Sequence, residues 1–472
     1  MKKINFLVIT FLLLISSILI KAQKPDEKIK TSISTFAPTP PMGFNSFDSY
    51  LTYLNQYEAQ KLIDVMAENY LPYGYNYFVI DDGWQVHAEL YEGTLYPKKG
   101  LGVVIDEFGL LEPSKTYFPD GMKPLINHAH SRGLKFGLWI IRGIPRLAYE
   151  KNVPIKGTKY TARDIADTTS ICVWKSQNYG VDMSKPGAQD YYNSLIDKLA
   201  SWGVDFLKVD DIVEEPKEFL AIVNAIENGG HKITLSLSPG DVHTKADLAY
   251  YKKANMLRIT GDVWDNQKSI DKGFKAWDDY TGTEGNGFWP DLDMIPFGDL
   301  KIVVPDFLDK SKNDKRHFSG FSKPQLETFI TQRALAASPL FIGGNMQTMD
   351  DYSYSLLINT NMLACNQNGV SGVNVYRNDN IEVWFSPNKN IPGKGWVGVF
   401  NRNAKERKVT LSKYDLGFRD FVRSYVLVEN KNAFKIKDIW NNKSYILYGK
   451  HEFMIPENGV IFMEFEEINS SK

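Results

Sequence analysis

The 472-residue sequence has little cysteine, little histidine and almost no net charge. Its two cysteines, Cys172 and Cys365, lie far apart and are expected to be buried thiols, so no disulfide framework is predicted. The seven scattered histidines support neither a zinc site nor a histidine-based triad. A net charge of −1, from 55 basic and 56 acidic residues, gives no indication of a nucleic-acid partner. No glycine-rich phosphate loop follows a predicted strand, and no cofactor is expected.

The N-terminus has the pattern of an export signal. A basic start is followed by an apolar run from Phe6 to Ile20 and by a small residue, Ala22. The run is short for a membrane span, and the whole segment is typical of a secretory signal peptide cleaved after Ala22. We therefore expect a signal peptide over 1–22 and a flexible lead-in over 23–36. The mature protein is expected to be periplasmic or secreted, with no membrane insertion.

From residue 37 to residue 370, short apolar runs alternate with amphipathic stretches. The apolar runs predict eight strands: Met42–Asn45, Tyr77–Ile80, Lys135–Ile140, Phe206–Val209, Thr234–Leu237, Met256–Ile259, Phe288–Trp289 and Leu340–Ile342. Helices are predicted between them over Glu58–Tyr70, Met122–Arg132, Ala188–Trp202 and Pro324–Ala337. Strands that alternate with helices in this way predict a (β/α)8 barrel over 37–370.

After residue 370 the predicted strands are short and partly alternating, with polar turns between them. They are Ile381–Phe385, Trp396–Phe400, Arg407–Leu411, Ser424–Val428, Ala433–Asp438 and Val460–Phe465. This pattern predicts an antiparallel β-sandwich over 371–472. Its tryptophans, including Trp396 and Trp440, are expected in the core and at the interface with the barrel. No pattern indicates an oligomeric state.

Polar residues follow nearly every predicted barrel strand. They are Asn45, Asp81, Asp82, Arg142, Lys208, Asp210, Asp211, Ser238, Arg258, Asp262, Asp291, Asp293 and Asn345. Polar side chains at the carboxyl ends of barrel strands form the active-site face. A doubly wound open sheet, the alternative fold, binds its ligand at one switch point and does not need charge at so many strand ends.

Two of these carboxylates have cations close by. Strict alternation places Lys208 and Asp210 on one side of their strand, where the cation favours the ionised carboxylate that a nucleophile needs. Asp262 follows Arg258 by four residues across a loop and is free to act as a general acid and base, with Arg258 orienting the sugar. A structural ion pair is the alternative for Lys208 and Asp210, and a loop cap or Asx-turn is the alternative for Asp262.

Asp81 and Asp82 end the second predicted strand and are followed by Gly83 and Trp84. Two adjacent carboxylates are suited to accepting hydrogen bonds from sugar hydroxyls, and Trp84 offers an apolar face to a pyranose ring. The alternative is a hard-cation site in which Asp211, Asp291 and Asp293 add oxygen ligands. No calcium-type ligand spacing is present, so the sugar site is preferred and no metal is expected.

The motifs at these positions, in this order, resemble those of glycoside hydrolase family 27, the α-galactosidases and α-N-acetylgalactosaminidases. They are residues 40–47, 81–84, 118–122, 133–138, 202–210, 258–262 and 289–294. The resemblance runs from about residue 38 to the C-terminus. It implies that Asp210 is the nucleophile and Asp262 the acid/base, and that Asp81 and Asp82 hold O4 and O6 of the terminal sugar. It also implies that Lys208 and Asp293 contact that sugar.

The resemblance fails around the sugar pocket. Ser236–Gly240 stands where galactosidases have Cys-Glu-Trp, so Ser238 replaces the usual reader of the C2 substituent. Trp139 stands where a tyrosine is usual, and both Ser238 and Trp139 are expected to contact the sugar. Arg142 and Arg146 follow, and then a long insertion that extends to about Cys172.

The expected function is exo-acting, retaining hydrolysis of a terminal α-galactoside or a related sugar on an oligosaccharide or polysaccharide. Double displacement requires two carboxyl groups, which we expect about 5–6.5 Å apart. Other sugars remain open: a β-L-arabinopyranoside, an α-glucan end, or an acidic or sulfated galactan held by Arg142 and Arg146, although structural salt bridges are the alternative for these arginines. The third hypothesis is a non-catalytic carbohydrate-binding barrel. The presence of both Asp210 and Asp262 argues against it, because a protein that only binds sugar needs neither acid.

Overall fold

The computed structural model describes residues 32–86, 102–238, 248–302, 315–422 and 426–468. The expected signal peptide and all but the end of the lead-in lie outside the described residues. So do Pro239 and Gly240 of the loop after the fifth barrel strand, and Ser424, the first residue of one predicted sandwich strand.

Eight strands form one parallel sheet, as predicted. They are β1 (Met42–Asn45), β2 (Tyr77–Ile80), β3 (Lys135–Ile141), β4 (Phe206–Asp210), β5 (Thr234–Leu237), β6 (Met256–Arg258), β7 (Trp289–Asp291) and β8 (Leu340–Ile342). Their order is β7-β6-β5-β4-β3-β2-β1-β8. A parallel bridge between Ile295 and Ile342 closes the sheet, and Ile295 N donates to Phe341 O over 2.8 Å. The strands are almost entirely buried because helices cover the outside of the barrel.

The helices lie around this barrel. Those described are α1 (Phe47–Tyr50), α2 (Gln56–Asn69), α3 (Met122–Ser131), α4 (Arg146–Lys151), α5 (Ala162–Ile165), α6 (Ala188–Trp202), α7 (Pro216–Gly229), α8 (Leu248–Tyr251), α9 (Gln267–Tyr280), α10 (Lys323–Leu335), α11 (Asp351–Leu357) and α12 (Thr360–Gln367). Short 3-10 turns lie at Ile33–Thr35 and Leu71–Tyr73. Helix α2 begins where the Asn55 side chain accepts from Glu58 N, and a capping box at Ser322 starts α10.

The C-terminal part is an antiparallel β-sandwich, as predicted. Its strands are β9 (Val373–Asn378), β10 (Ile381–Pro387), β11 (Lys394–Asn401), β12 (Arg407–Leu411), β13 (Arg419–Val422), β14 (Val426–Glu429), β15 (Ala433–Asp438), β16 (Lys443–Leu447), β17 (His451–Ile455) and β18 (Val460–Ile468). Six of them form a sheet in the order β9-β10-β11-β18-β15-β16. Strand β16 was not predicted from the sequence. Its side chains are mostly exposed, so its sequence lacks the apolar pattern by which other strands were predicted.

Aromatic side chains join the sandwich to the barrel. Trp384 of β10 stacks on Trp277 of α9, with ring centroids 3.7 Å apart. Trp440 donates from Nε1 to Thr331 Oγ1 of α10 over 3.0 Å, and Trp396 is buried. The expectation that Trp396 and Trp440 belong to core and interface is therefore confirmed.

Cys172 and Cys365 are both free and buried, as predicted. No helix in the described part of the chain is both long enough and apolar enough to cross a bilayer.

The insertion after β3 folds into a small antiparallel sheet above the barrel. Its strands are Ile144–Pro145, Ala166–Asp167 and Asn178–Val181, with Asn178–Val181 in the centre. The loop between Ala166–Asp167 and Asn178–Val181 carries Trp174 and Lys175 to the carboxyl ends of the barrel strands.

Candidate active site

A cavity of about 540 Å³ opens among the carboxyl ends of the barrel strands. Eight of the ten sequence-predicted site residues line it: Asp81, Asp82, Trp139, Lys208, Asp210, Arg258, Asp262 and Asp293. The cavity also contains residues that the sequence analysis did not select, namely Phe47, Asp48, Trp174, Glu214, Gly261, Val263, Trp264 and Met294. Because both candidate catalytic carboxylates line this cavity, we refer to it as the cleft.

Asp210 ends β4 and is held by two donors. Trp139 Nε1 donates to Asp210 Oδ2 over 3.0 Å, and Asp211 N donates to Oδ1 over 3.1 Å. Asp211 has a positive φ of 57°, so the chain turns sharply after the strand. The turn gives the two neighbouring carboxylates different surroundings: Asp210 lines the cleft, whereas Asp211 pairs with Arg142.

Lys208 lies two residues before Asp210 and binds a different carboxylate. Its Nζ is 2.8 Å from Asp81 Oδ2, which also accepts from Asn45 Nδ2 over 2.7 Å. Burial alone lowers the pKa of Lys208, but Asp81 and then Asp210 outweigh burial, and the pKa is raised. The cleft floor therefore holds a fixed ammonium group that interacts with both carboxylates.

Arg258 joins two carboxylates on the other side of the cleft. Its Nη2 donates to Asp262 Oδ1 over 2.9 Å, and its Nη1 lies 3.6 Å from Asp293 Oδ1. Asp293 also accepts from Val263 N over 2.8 Å, which ties down the loop that carries Asp262. The Asp262 side chain is 66% exposed, whereas Arg258 is buried, so Asp262 reaches the open side of the cleft.

Asp82 is held by Lys175, a partner that the sequence analysis missed. The two side chains form a buried ion pair, and Gln85 Nε2 donates to Asp82 Oδ1 over 3.3 Å. Burial raises the pKa of Asp82 although Lys175 opposes this shift. The Lys175 ammonium also lies 5.2 Å from the centroid of the Trp139 ring. The insertion thus places a buried cation behind Asp82, which lines the cleft.

The prediction that Trp84 offers its face to a sugar is wrong. Trp84 is only 1% exposed, does not line the cleft, and packs edge-to-face on Trp202. Its Nε1 donates to Trp139 O over 2.8 Å. The chain turns at Gly83, whose φ is 107° and where a Cβ would lie 2.1 Å from Thr52 O. Beyond that turn the indole enters the core beneath the cleft wall.

Ser238 is not brought to the cleft either. It lines a smaller cavity of about 20 Å³, which shares Lys208, Arg258, Asp293 and Met294 with the cleft. Its Oγ is buried and has no hydrogen-bond partner among the described residues. The contact of Ser238 with the sugar stays a prediction.

The two arginines beyond β3 make contacts outside the cleft. Arg142 lies within 3.0 Å of Asp211 and Glu218 and 3.4 Å of Glu215, which confirms a salt-bridge role. The Arg146 guanidinium lies 4.8 Å from the Tyr179 ring centroid. Neither arginine lines the cleft. The hypothesis of an acidic or sulfated galactan as substrate therefore loses the two residues on which it was based.

Asp48 is a further carboxylate of the cleft that the sequence analysis missed. It lies in α1, three residues beyond the end of β1, and it is buried. Burial and then Asp293 raise its pKa well above the usual range. Its Oδ2 is buried with no hydrogen-bond partner in the described part of the chain. A protonated carboxyl group here is able to donate to a sugar hydroxyl.

The acidic residues of the seventh strand do not form a metal cluster. Burial and then Asp293 raise the pKa of Asp291 to about 7. Within the ranges that the structure covers, no group of three or more His, Cys, Asp or Glu residues is arranged to hold a metal ion.

Family models match two overlapping parts of the chain. The model described as alpha galactosidase A matches residues 155–368, and the glycosyl hydrolases family 31 TIM-barrel domain matches residues 35–244. Among curated proteins, the alpha-galactosidase of Oryza sativa subsp. japonica is 25% identical and the match covers 87% of this chain and 81% of that protein. Alpha-galactosidase A of Cellvibrio japonicus is 23% identical, over 95% of this chain and 96% of its own length.

A solved structure is more similar to this chain than these sequences are. It is a family 27 β-L-arabinopyranosidase from Geobacillus stearothermophilus, with 34% sequence identity and a TM-score of 0.84. The likeness covers 93% of this chain and 99% of that one. The likeness therefore extends over nearly the whole chain.

Proposed function

This chain belongs to glycoside hydrolase family 27, and from that premise we propose an exo-acting, retaining hydrolase with Asp210 as nucleophile and Asp262 as acid/base. The chain is a glycoside hydrolase. The specific mechanism and the sugar are our proposals.

One observation carries the assignment of roles: the two carboxylates share one cleft but have different surroundings. Asp210 is buried and fixed by donors to both oxygens, which suits a nucleophile that must be aligned with the anomeric carbon. Asp262 is largely exposed and lies within the loop between β6 and α9, which suits a group that serves a leaving oxygen and then a water molecule. Glycosidases use two carboxyl groups in different roles, and different surroundings are what separate those roles.

The proposed reaction has two displacements. In the first, Asp210 attacks the anomeric carbon while the bond to the glycosidic oxygen breaks, and Asp262 transfers a proton to that oxygen. In the second, Asp262 removes a proton from water as the water oxygen attacks the same carbon and the bond to Asp210 breaks. Two inversions at one carbon retain its configuration. The carboxyl groups are expected about 5–6.5 Å apart, close to the separation in retaining enzymes.

The remaining polar groups of the cleft are assigned to the sugar hydroxyls. They are Asp81, Asp82, Lys208, Arg258 and Asp293, with Trp139 beside the anomeric centre. Carboxylates and cations already held by the protein present fixed acceptors and donors, so little reorganisation is required when the sugar binds.

Two sugars are candidates for the cleft. A terminal α-galactoside is favoured by the curated relatives, which are named alpha-galactosidases, and by the retained pair Asp81 and Asp82. A β-L-arabinopyranoside is favoured by the higher identity, 34%, to the G. stearothermophilus enzyme. The rings of these two sugars have corresponding hydroxyl orientations and differ by the hydroxymethyl group at C5.

A panel of p-nitrophenyl glycosides tests the proposal. The panel contains α-D-galactopyranoside, β-L-arabinopyranoside and α-D-glucopyranoside, and Asp210→Asn serves as the inactive control. We expect kcat/KM to be highest for one of the first two substrates and to be lost in the variant. A higher kcat/KM for the glucoside would indicate that the natural substrate is an α-glucan end. Binding without turnover of any glycoside would favour the non-catalytic barrel.

We also propose that the protein is exported. The support is the charged and apolar pattern of residues 1–22. Expression in a Gram-negative host followed by N-terminal sequencing of the exported protein should give Gln23 as the first residue. Retention in the cytoplasm with Met1 intact would contradict it.

A further inference from the structure

Two tryptophans of the cleft have no part in the chemistry proposed above. Trp174 comes from the insertion and is 40% exposed, and Trp264 comes from the loop after β6 and is half-buried. Both line the cleft, as does the exposed Glu214. Aromatic side chains that are exposed at a cleft offer flat apolar faces to a ligand.

The position of Trp264 relates it to the leaving group. It follows Asp262 by two residues, and Gly261, Asp262, Val263 and Trp264 all line the cleft. Asp262 must reach the glycosidic oxygen, which joins the cleaved sugar to the leaving group. Side chains next to Asp262 on this open loop are therefore close to the leaving group.

Both tryptophans are held by neighbouring contacts. Lys175, next to Trp174, is fully buried in its ion pair with Asp82, which anchors the chain at that point. Trp264 N donates to Ser269 Oγ over 3.1 Å, and Lys301 Nζ lies 4.3 Å from the centroid of the Trp264 ring. A ring with such a contact, as Trp264 has, loses little conformational entropy when a ligand packs on it.

The side chains of Trp174, Trp264 and Glu214 indicate which kind of ligand they bind. A pyranose ring has an apolar face of C–H groups and a rim of hydroxyls, which match an indole face and a carboxylate acceptor. We propose that Trp174, Trp264 and Glu214 form a leaving-group subsite, and that this subsite binds a second pyranose ring. The proposal deepens the function proposed above and rests on it: the natural substrate then carries a sugar, not a small alcohol, on the reducing side of the cleaved bond.

The test compares two substrates that share the cleaved sugar and differ in the leaving group. One is a disaccharide of the sugar preferred in the glycoside panel, and the other is the α-configured glycosyl fluoride of that sugar (β for L-arabinose), which has no ring to fill the subsite. For Trp174→Ala we expect kcat/KM for the disaccharide to fall about 10-fold or more, because an aromatic contact is lost. Turnover of the fluoride should stay within about two-fold, since fluoride makes no such contact.

Val173→Ala is the matched control, because Val173 is adjacent, 98% exposed and outside the cleft lining. It should leave both substrates unchanged, and Trp174→Phe should recover most of the disaccharide activity. An equal loss on both substrates, or no loss on the disaccharide, would overturn the subsite. If the wild-type protein hydrolyses neither substrate, the proposed function itself fails and the subsite fails with it.

Discussion

The indole of Trp139 donates from Nε1 to Oδ2 of Asp210 over 3.0 Å. The two residues lie on neighbouring strands, β3 and β4, but are not register partners: Trp139 is opposite Lys208 and Ile141 is opposite Asp210. The same indole lies beneath the Lys175 ammonium. Trp139 therefore links the insertion to the proposed nucleophile, which gives it a positioning role in addition to its place in the cleft wall.

Trp139→Phe should lower kcat by about 10- to 100-fold, because a donor to a charged carboxylate is removed from the site of reaction. KM should change less than kcat, since the donor serves the nucleophile more than the bound sugar. Trp84→Phe is the matched control: it removes a donor to Trp139 O in the core. It should lower the free energy of unfolding by about 1 kcal/mol and leave kcat near wild type. Equal kcat losses in both variants would contradict the positioning role.

Asp262→Asn should affect substrates according to their leaving groups. A substrate with a poor leaving group needs the proton that Asp262 supplies, and its turnover should fall by about 100-fold or more. A glycosyl fluoride needs no proton for the first step and should lose far less. The measurement is the slope of log kcat/KM against leaving-group pKa, which should be steeper in the variant. An unchanged slope would exclude Asp262 as the acid.

Lys175→Met tests the buried ion pair that the insertion makes. Removal of one partner leaves Asp82 buried without its cation, so the free energy of unfolding should fall by about 3–5 kcal/mol. The double variant with Asp82→Asn removes both charges and should recover much of that loss. Chemical denaturation of Lys175→Met, Asp82→Asn and the double variant measures their free energies of unfolding. Additive losses in the double variant would show that the two residues do not interact.

Asp291→Asn should change how stability depends on pH. The pKa of Asp291 is about 7 in the folded protein, above the ordinary 3.8, so folding favours the protonated form. The stability that this residue provides is complete below pH 4 and is lost as the pH rises towards 7. Asparagine does not titrate, so the variant should gain about 1–4 kcal/mol relative to wild type between pH 4 and pH 8. Urea denaturation across this range checks the gain. A constant difference between the two proteins would contradict it.

The barrel was predictable because its strands are buried on both faces. Such strands appear in the sequence as continuous apolar runs, and four of the eight, including Met42–Asn45 and Leu340–Ile342, have the predicted bounds. Their polar ends then identify the cleft residues, since the carboxyl ends of parallel strands meet on one face.

The errors have a common cause, which is that local sequence does not give side-chain direction or long-range contacts. Trp84 follows a strand end, but the turn at Gly83 directs its ring into the core. Lys175 reaches Asp82 from 93 residues away in sequence, through an insertion with no strand-end pattern. Asp48 lies in a short helix three residues beyond Asn45, the last residue of β1, and only Asn45 was selected at that strand end.

The most direct test of the account is to trap the covalent intermediate. A 5-fluoro glycosyl fluoride of the preferred sugar should form the glycosyl-enzyme and slow its hydrolysis. After proteolysis and mass spectrometry, the account predicts one sugar on the peptide that contains Asp210, with the modified side chain at Asp210 itself. A label on another carboxylate, or inverted product with no label, would contradict the assignment of Asp210 as nucleophile.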